Sequence, residues 1–229
     1  DKFKEKIEKF LKSIIDIFPF LKNVKLTIYS ENTFPHSAGI ASSASSMSAL
    51  ALALCSIEEE IFSKDINKVD FFKKANFVAR LGSGSACRSL YSTLASWGEH
   101  SSEVLNSTNE FAADFTEFDH IFSTFKDSIL IVDAGEKSVS SRAGHALMIN
   151  HPFSKVRFEN ANNSLSLLTK AMKEGDLSTF GDIVEREALE LHGLMMNSSP
   201  SFILMKPETL TIIDKVRAFR AITKLPLYF

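Results

Sequence analysis

The amino-acid sequence predicts a mixed α and β protein, and three observations carry that reading. Apolar residues recur at helical spacing over 2–17, 154–173, 176–196 and 207–221. Val24 to Tyr29 alternates apolar with polar side chains, and Ser128 to Val132 is a short apolar run; both are strand signatures. Glycine, proline and serine punctuate the stretches between them. With 229 residues, 45% apolar and 24% charged, the chain has the composition of a soluble globular protein able to bury a core.

In chain order, Phe3, Ile7, Phe10, Leu11, Ile14 and Ile15 line one face of a first helix, which Pro19 stops. The strand pattern at 24–29 follows, then a turn at Glu31-Asn32-Thr33 and a serine- and alanine-rich run leading into a helix over 44–61. A further helix spans 67–81 until Gly82-Ser83-Gly84-Ser85 breaks it, and Leu90 to Trp97 is read as a strand. Residues 99–117 are polar, as a surface excursion would be. After the strand at 128–132 three helices follow, punctuated by Gly175, Pro200 and Pro207, and Leu225 to Phe229 reads as a last strand. A change of domain is placed near 124–128, giving domains 1–125 and 126–229.

Several function classes are set aside by composition. Twenty-six basic side chains face 28 acidic ones for a net charge of −2, which leaves no basic field for nucleic acid. The uncharged stretch 37–57 has the length of a membrane span, but Ser37, Ser42, Ser43, Ser45, Ser46, Ser48 and Ser56 make it too hydroxylated to be one. Cys55 and Cys87 follow no disulfide or metal spacing, so they read as free thiols of a reducing cytoplasm.

Chemistry concentrates in two loops. In Phe34-Pro35-His36-Ser37-Ala38-Gly39-Ile40-Ala41-Ser42-Ser43-Ala44 a glycine lets backbone amides approach an anion, and the helix that follows presents its positive end. There is no Walker lysine. On spacing alone two readings stand level: a nucleotide-phosphate cradle, or a small-residue helix packed tightly on a sheet. In Gly82-Ser83-Gly84-Ser85-Ala86-Cys87-Arg88-Ser89, two glycines and serine hydroxyls form a second anion-receptive loop. Its Arg88 can grip a carboxylate or diphosphate through two parallel hydrogen bonds. The plainer alternative makes Arg88 a surface salt-bridge partner and the glycines a helix stop.

The first loop resembles the Pro-x-x-x-Gly-Leu-x-Ser-Ser-Ala signature of the GHMP small-molecule kinases, differing only by Ile40 for Leu. The second resembles the Gly-Ser-Gly-Ser-Ala-Cys-Arg-Ser hallmark of mevalonate diphosphate decarboxylases. Glu136 to His145 is similar to that family's Lys-x-Val-Ser-Ser-x-x-Gly-Met segment, with His145 in place of Met. The resemblance implies a two-lobed α+β GHMP-kinase fold, with a ribosomal-protein-S5-like first domain and a ferredoxin-like second one. It implies that Pro35, Gly39, Ile40, Ala41, Ser42, Ser43, Ala44 and Lys137 bind ATP. It further implies that Ser83, Gly84, Ser85, Ala86, Cys87, Arg88, Ser141 and Arg142 bind mevalonate 5-diphosphate, Arg88 facing the carboxylate that leaves.

Mg²⁺ is implied by the nucleotide, with no protein ligand assigned, and homodimers are common in the family. Cys87 is read as a packing residue, because no base partners it, and His36 as a cap on its loop. Asp133, in Asp133-Ala134-Gly135, mimics the family's catalytic motif but precedes the Val-Ser-Ser segment. The family's catalytic aspartate is therefore expected after Phe229, and its Lys-Tyr-Trp-Gly-Lys type motif before Asp1. The implied reaction is ATP-dependent decarboxylation. The competing readings are a related kinase that stops after phosphoryl transfer and a non-catalytic nucleotide-binding relative.

Overall fold

The structure, a computed structural model, describes residues 2–34, 40–62, 67–100, 105–133 and 141–229. The chain forms two compact units, Asp1–Thr116 and Glu117–Phe229.

In the first unit, helix α1 (Lys2–Ser13) directs Phe10 inward, and the turns after it bury Ile14 and Phe18. Pro19 opens a short 3-10 helix, Pro19–Lys22, where its missing N–H is no loss. Helix α2 (Ser42–Phe62) supplies Ala44, Met47, Ala51, Leu54 and Cys55 to the same core. Its serines fit that apolar setting by bonding within the helix: Ser46 Oγ donates to Ser42 O at 3.0 Å and Ser48 Oγ to Ala44 O at 2.9 Å. Helix α3 (Lys68–Gly82) is capped by Asn67, whose side chain accepts from Asp70 N at 3.0 Å, and it buries Ala75, Val78 and Ala79 against α2. A 3-10 helix, Gly84–Leu90, follows directly. Strands β1 (Ala95–Ser96) and β2 (Ala113–Asp114) pair antiparallel, with Ala95 opposite Asp114 and Ser96 opposite Ala113.

The second unit begins with a 3-10 helix, His120–Thr124, and carries the short α4 (Ser141–Ala146) and three long helices. Helix α5 (Ser154–Glu174) ends at Gly175 in the left-handed region (φ 73°), and Asp176 then caps α6 (Leu177–Met196). Thr179, through its hydroxyl and its amide, holds the Asp176 carboxyl below the usual carboxylate range. Arg157 ties α5 to α6 through Glu187 at 2.7 Å and Glu190 at 3.3 Å. Pro207 starts α7 (Pro207–Thr223), and Arg220 of that helix grips Glu185 of α6 at 2.5 and 3.0 Å. Phe122, Phe125, Phe180 and Tyr228 form an aromatic cluster, in which Phe180 meets Phe125 and Tyr228 edge to face and Phe122 at a tilt.

The helices match the sequence-based expectations to within a few residues. The strands do not: 24–29, 128–132 and 225–229 are irregular, and of 90–97 only Ala95–Ser96 is strand, because Gly84–Leu90 coils into the 3-10 helix. A strand exists through hydrogen bonds to a neighbour, and these segments find none among the described residues. In 128–132 the apolar side chains stand open accordingly, Ile129, Leu130 and Ile131 at 58%, 64% and 50%.

Candidate active site

The first loop passes into α2 at Ala41, whose φ of 58° lies in the left-handed region. A non-glycine residue there is held against its preference, a conformation that concentrates at functional sites. Ala41 O accepts from Ala44 N at 2.9 Å and Ser45 N at 3.2 Å, so the helix begins in the Ile40–Ala44 segment. The amides ahead of these, on Ser42 and Ser43, have no acceptor one turn back in the helix. Backed by small uncharged residues and a 21-residue helix, they make an end suited to phosphate oxygens. Ile40 and Ser43 are half-buried, whereas Ser42 and Ala44 pack inward. Pro35, His36 and Gly39 lie outside the described residues.

The second loop leaves α3 at Ser83 and coils through Gly84–Leu90. A Cβ placed on Gly82 would sit 2.7 Å from Met47 Sδ, so glycine lets the end of α3 approach α2 without displacing that buried side chain. That approach sets the two loops edge to edge: Ser43 Oγ lies 3.3 Å from Ser83 Oγ. Ser85 is half-buried and Arg88 exposed. Among the described residues Arg88 makes no salt bridge, unlike Lys74 or Arg157. Ala86 and Cys87 point their side chains inward and are fully buried, leaving only their backbone to a ligand. Cys87 Sγ donates to Gly84 O at 3.1 Å, tightening the turn. Burial pushes its thiol pKa up, against the lowering effect of the Arg88 amide and charge. Cys55 is pushed up to about 12 by burial, although Lys74 opposes the shift. Both shifts favour the protonated thiol, the opposite of the shift that activates a cysteine.

Three residues near the second loop escaped sequence reasoning. Asn76, 2% exposed, accepts from Ala112 N at 2.9 Å and donates to Ala112 O at 3.2 Å and to Tyr91 OH at 3.0 Å. Tyr91 OH also donates to Ala112 O at 2.8 Å. One amide thus pins both the end of the loop and the approach to β2. The available signal was a lone polar residue amid Ala75, Val78 and Ala79. Asn76→Ala should cost about 2 kcal/mol, because it strands the buried Ala112 N–H. Urea unfolding of the two proteins checks this. Arg80 lies over the Phe77 ring at 5.2 Å, and its Nε is buried with no hydrogen-bond partner among the described residues. Trp97 packs on Gly84.

In the second unit, Ser141 and Arg142 occupy the first two positions of α4. Lys137 lies outside the described residues. Asp133 is exposed and pairs with Lys206 at 3.4 Å. Among the described residues no group of three His, Cys, Asp or Glu side chains is placed to hold a metal ion. Nor is any described helix long and apolar enough to cross a membrane.

The α+β architecture is the GHMP-kinase fold, shared with solved structures that match along the whole chain. One, MDDEF in complex with MVAPP, AMPPCP and magnesium, has a TM-score of 0.75 and 28% identity, and the match covers 100% of this chain and 65% of that one. A mevalonate diphosphate decarboxylase from Staphylococcus aureus gives 0.76 and 25%, covering 100% and 65%. Residues 1–109 match the diphosphomevalonate decarboxylase-like N-terminal domain, and residues 128–225 the mevalonate 5-diphosphate decarboxylase C-terminal domain. The chain belongs to the diphosphomevalonate decarboxylase family. The diphosphomevalonate decarboxylase of Gibberella zeae is 30% identical over 82% of this chain and 47% of its own length, and that of Saccharomyces cerevisiae 29% over 86% and 47%. The chain thus spans about half the length of the curated relatives it matches.

Proposed function

We propose that the protein carries out ATP-dependent decarboxylation of mevalonate 5-diphosphate to isopentenyl diphosphate, CO2, ADP and phosphate, in the cytoplasm and as a homodimer. Residues 1–125 are assigned to the nucleotide-binding S5-like domain and 126–229 to the ferredoxin-like one. The observation that carries the reading is the 3.3 Å approach of Ser43 Oγ to Ser83 Oγ. It sets an anion-accepting helix end beside a glycine-serine loop bearing a guanidinium free of salt bridges among the described residues. Two anionic molecules have to be held side by side for phosphoryl transfer between them, and positioning supplies much of the rate.

In this reading Pro35, Gly39, Ile40, Ala41, Ser42, Ser43, Ala44 and Lys137 are the residues assigned to ATP. Mg²⁺ would neutralise phosphate charge and be carried on the nucleotide rather than on a carboxylate cage. Ser83, Gly84, Ser85, Ser141 and Arg142 receive the substrate diphosphate, and Arg88 the carboxylate. The oxygen of the tertiary 3-hydroxyl forms a bond to the γ-phosphorus as the bond from that phosphorus to ADP breaks, and the hydroxyl proton is released to solvent. The C3–O bond then breaks with phosphate carrying off its electron pair, and positive charge builds at C3. The C1–C2 bond releases CO2, and its electrons close the C2–C3 alkene. Arg88 holds the carboxylate in line until that bond breaks.

The test is the natural protein with ATP, Mg²⁺ and mevalonate 5-diphosphate, scoring ADP and CO2 together. Equal yields are expected. ADP without CO2 would make the protein a kinase, and neither product would remove the catalytic reading altogether.

A further inference from the structure

Trp97, the one tryptophan of the chain, has no part in the reaction as written, yet its ring touches the second loop. It follows β1 directly. A Cβ built on Gly84 would lie 2.8 Å from Trp97 Cη2 and 3.5 Å from Cζ3, so the far edge of the indole rests on the Gly84 backbone. The ring is fastened from behind. Its Nε1–H donates to Asn109 O at 3.2 Å, and Asn109 Oδ1 accepts from Glu99 N at 3.4 Å. Gly98 N donates to Thr108 O at 3.1 Å, and Ser107 Oγ to Gly98 O at 2.9 Å, closing the excursion that carries Asn109. The β1–β2 pair is held in turn by Asn76 through Ala112. Helix α3 therefore carries both the loop and the frame that presses the indole onto it.

Such a brace has a physical purpose here. The loop is 3-10, with weaker hydrogen-bond geometry than an α-helix, and it opens on a glycine, the residue with most freedom to lose. A ligand that must order it pays in affinity, and a contact that orders it beforehand removes that loss. We propose that Trp97 is a positioning residue of the substrate loop: it fixes the Gly84 backbone and thereby strengthens binding of the diphosphate-bearing acid without joining the chemistry. The inference rests on the assignment of Ser83–Arg88 to that substrate.

The experiment compares the natural protein with Trp97→Ala and Trp97→Phe. The phenyl ring keeps an aromatic group but lacks the atoms that reach Gly84. The alanine variant should raise the KM for mevalonate 5-diphosphate about tenfold, with kcat and the KM for ATP within twofold, and the phenylalanine variant should fall between. If the alanine protein does not fold, the phenylalanine one carries the comparison. An unchanged KM for the acid overturns the inference, as does a loss spread evenly over kcat and both KM values. If the unaltered protein releases no CO2, it is the decarboxylase reading that fails. Calorimetric affinity for inorganic diphosphate then judges Trp97 separately: a tenfold weakening in the variant supports the brace, and equal affinities refute it.

Discussion

Replacing Arg88 by alanine in the natural protein is expected to lower kcat/KM by about 10³-fold while leaving the KM for ATP within twofold. Arg88 stands exposed on the Gly84–Leu90 turn and, among the described residues, has no carboxylate to neutralise it. Two charge-assisted hydrogen bonds to a carboxylate contribute together about 4 kcal/mol. That converts to roughly three decades in rate if they are kept through the transition state. Lysine keeps the charge but loses the planar fork, so Arg88→Lys should recover only part of the deficit. The nucleotide is assigned to the Ile40–Ala44 end, so its apparent affinity should not follow. Steady-state kinetics with each substrate varied in turn measures both quantities, and unimpaired turnover by the alanine variant would remove the assignment of Ser83–Arg88 to the acid.

What the residues announced beforehand, and what they withheld, follows from the range of the forces involved. Helices α5, α6 and α7 were legible because their apolar stripes, Gly175 and Pro207 are local signals read within a few turns. The segments at 24–29 and 128–132 carry strand composition, yet strand formation depends on a partner that periodicity cannot name, and none is present among the described residues. Of the site, the glycine-serine loops stood out because close approach to an anion excludes most residue types. The 3.3 Å approach of Ser43 to Ser83 was not legible, because 40 residues of chain separate them. It depends on Gly82 admitting Met47, a packing event. Asn76 and Trp97 were hidden for the same reason: each acts through a backbone group that sequence distance conceals, Ala112 in one case and Gly84 in the other. Of the two readings that spacing left level, the small-residue packing is visible in the serines that bond back into α2; the anion-binding end remains part of the proposed function.

Beneath the loops, the stability of the first unit should respond most to Lys74. Its Nζ meets Glu58 Oε2 at 2.5 Å, with the Glu58 side chain only 3% exposed, and lies 4.3 Å from the Phe18 ring centroid. Lys74→Met keeps the aliphatic stem against Phe18 but takes the cation from a carboxylate in an apolar setting. Breaking a buried pair from one side costs about 3–5 kcal/mol, and the partial exposure of Lys74 places the loss near the lower end. Removing both charges is a different matter. In Glu58→Leu/Lys74→Met no ion is left to desolvate, and two apolar side chains refill the space, so most of the stability should return. Urea unfolding of the four proteins of this cycle gives the coupling directly. A single Lys74→Met variant as stable as the starting protein would show that the other interactions of Glu58 hold its carboxylate without the cation. A double variant no better than the single would mean instead that the pair, rather than its desolvation, sets how α2 and α3 pack, and with them the distance between the two loops.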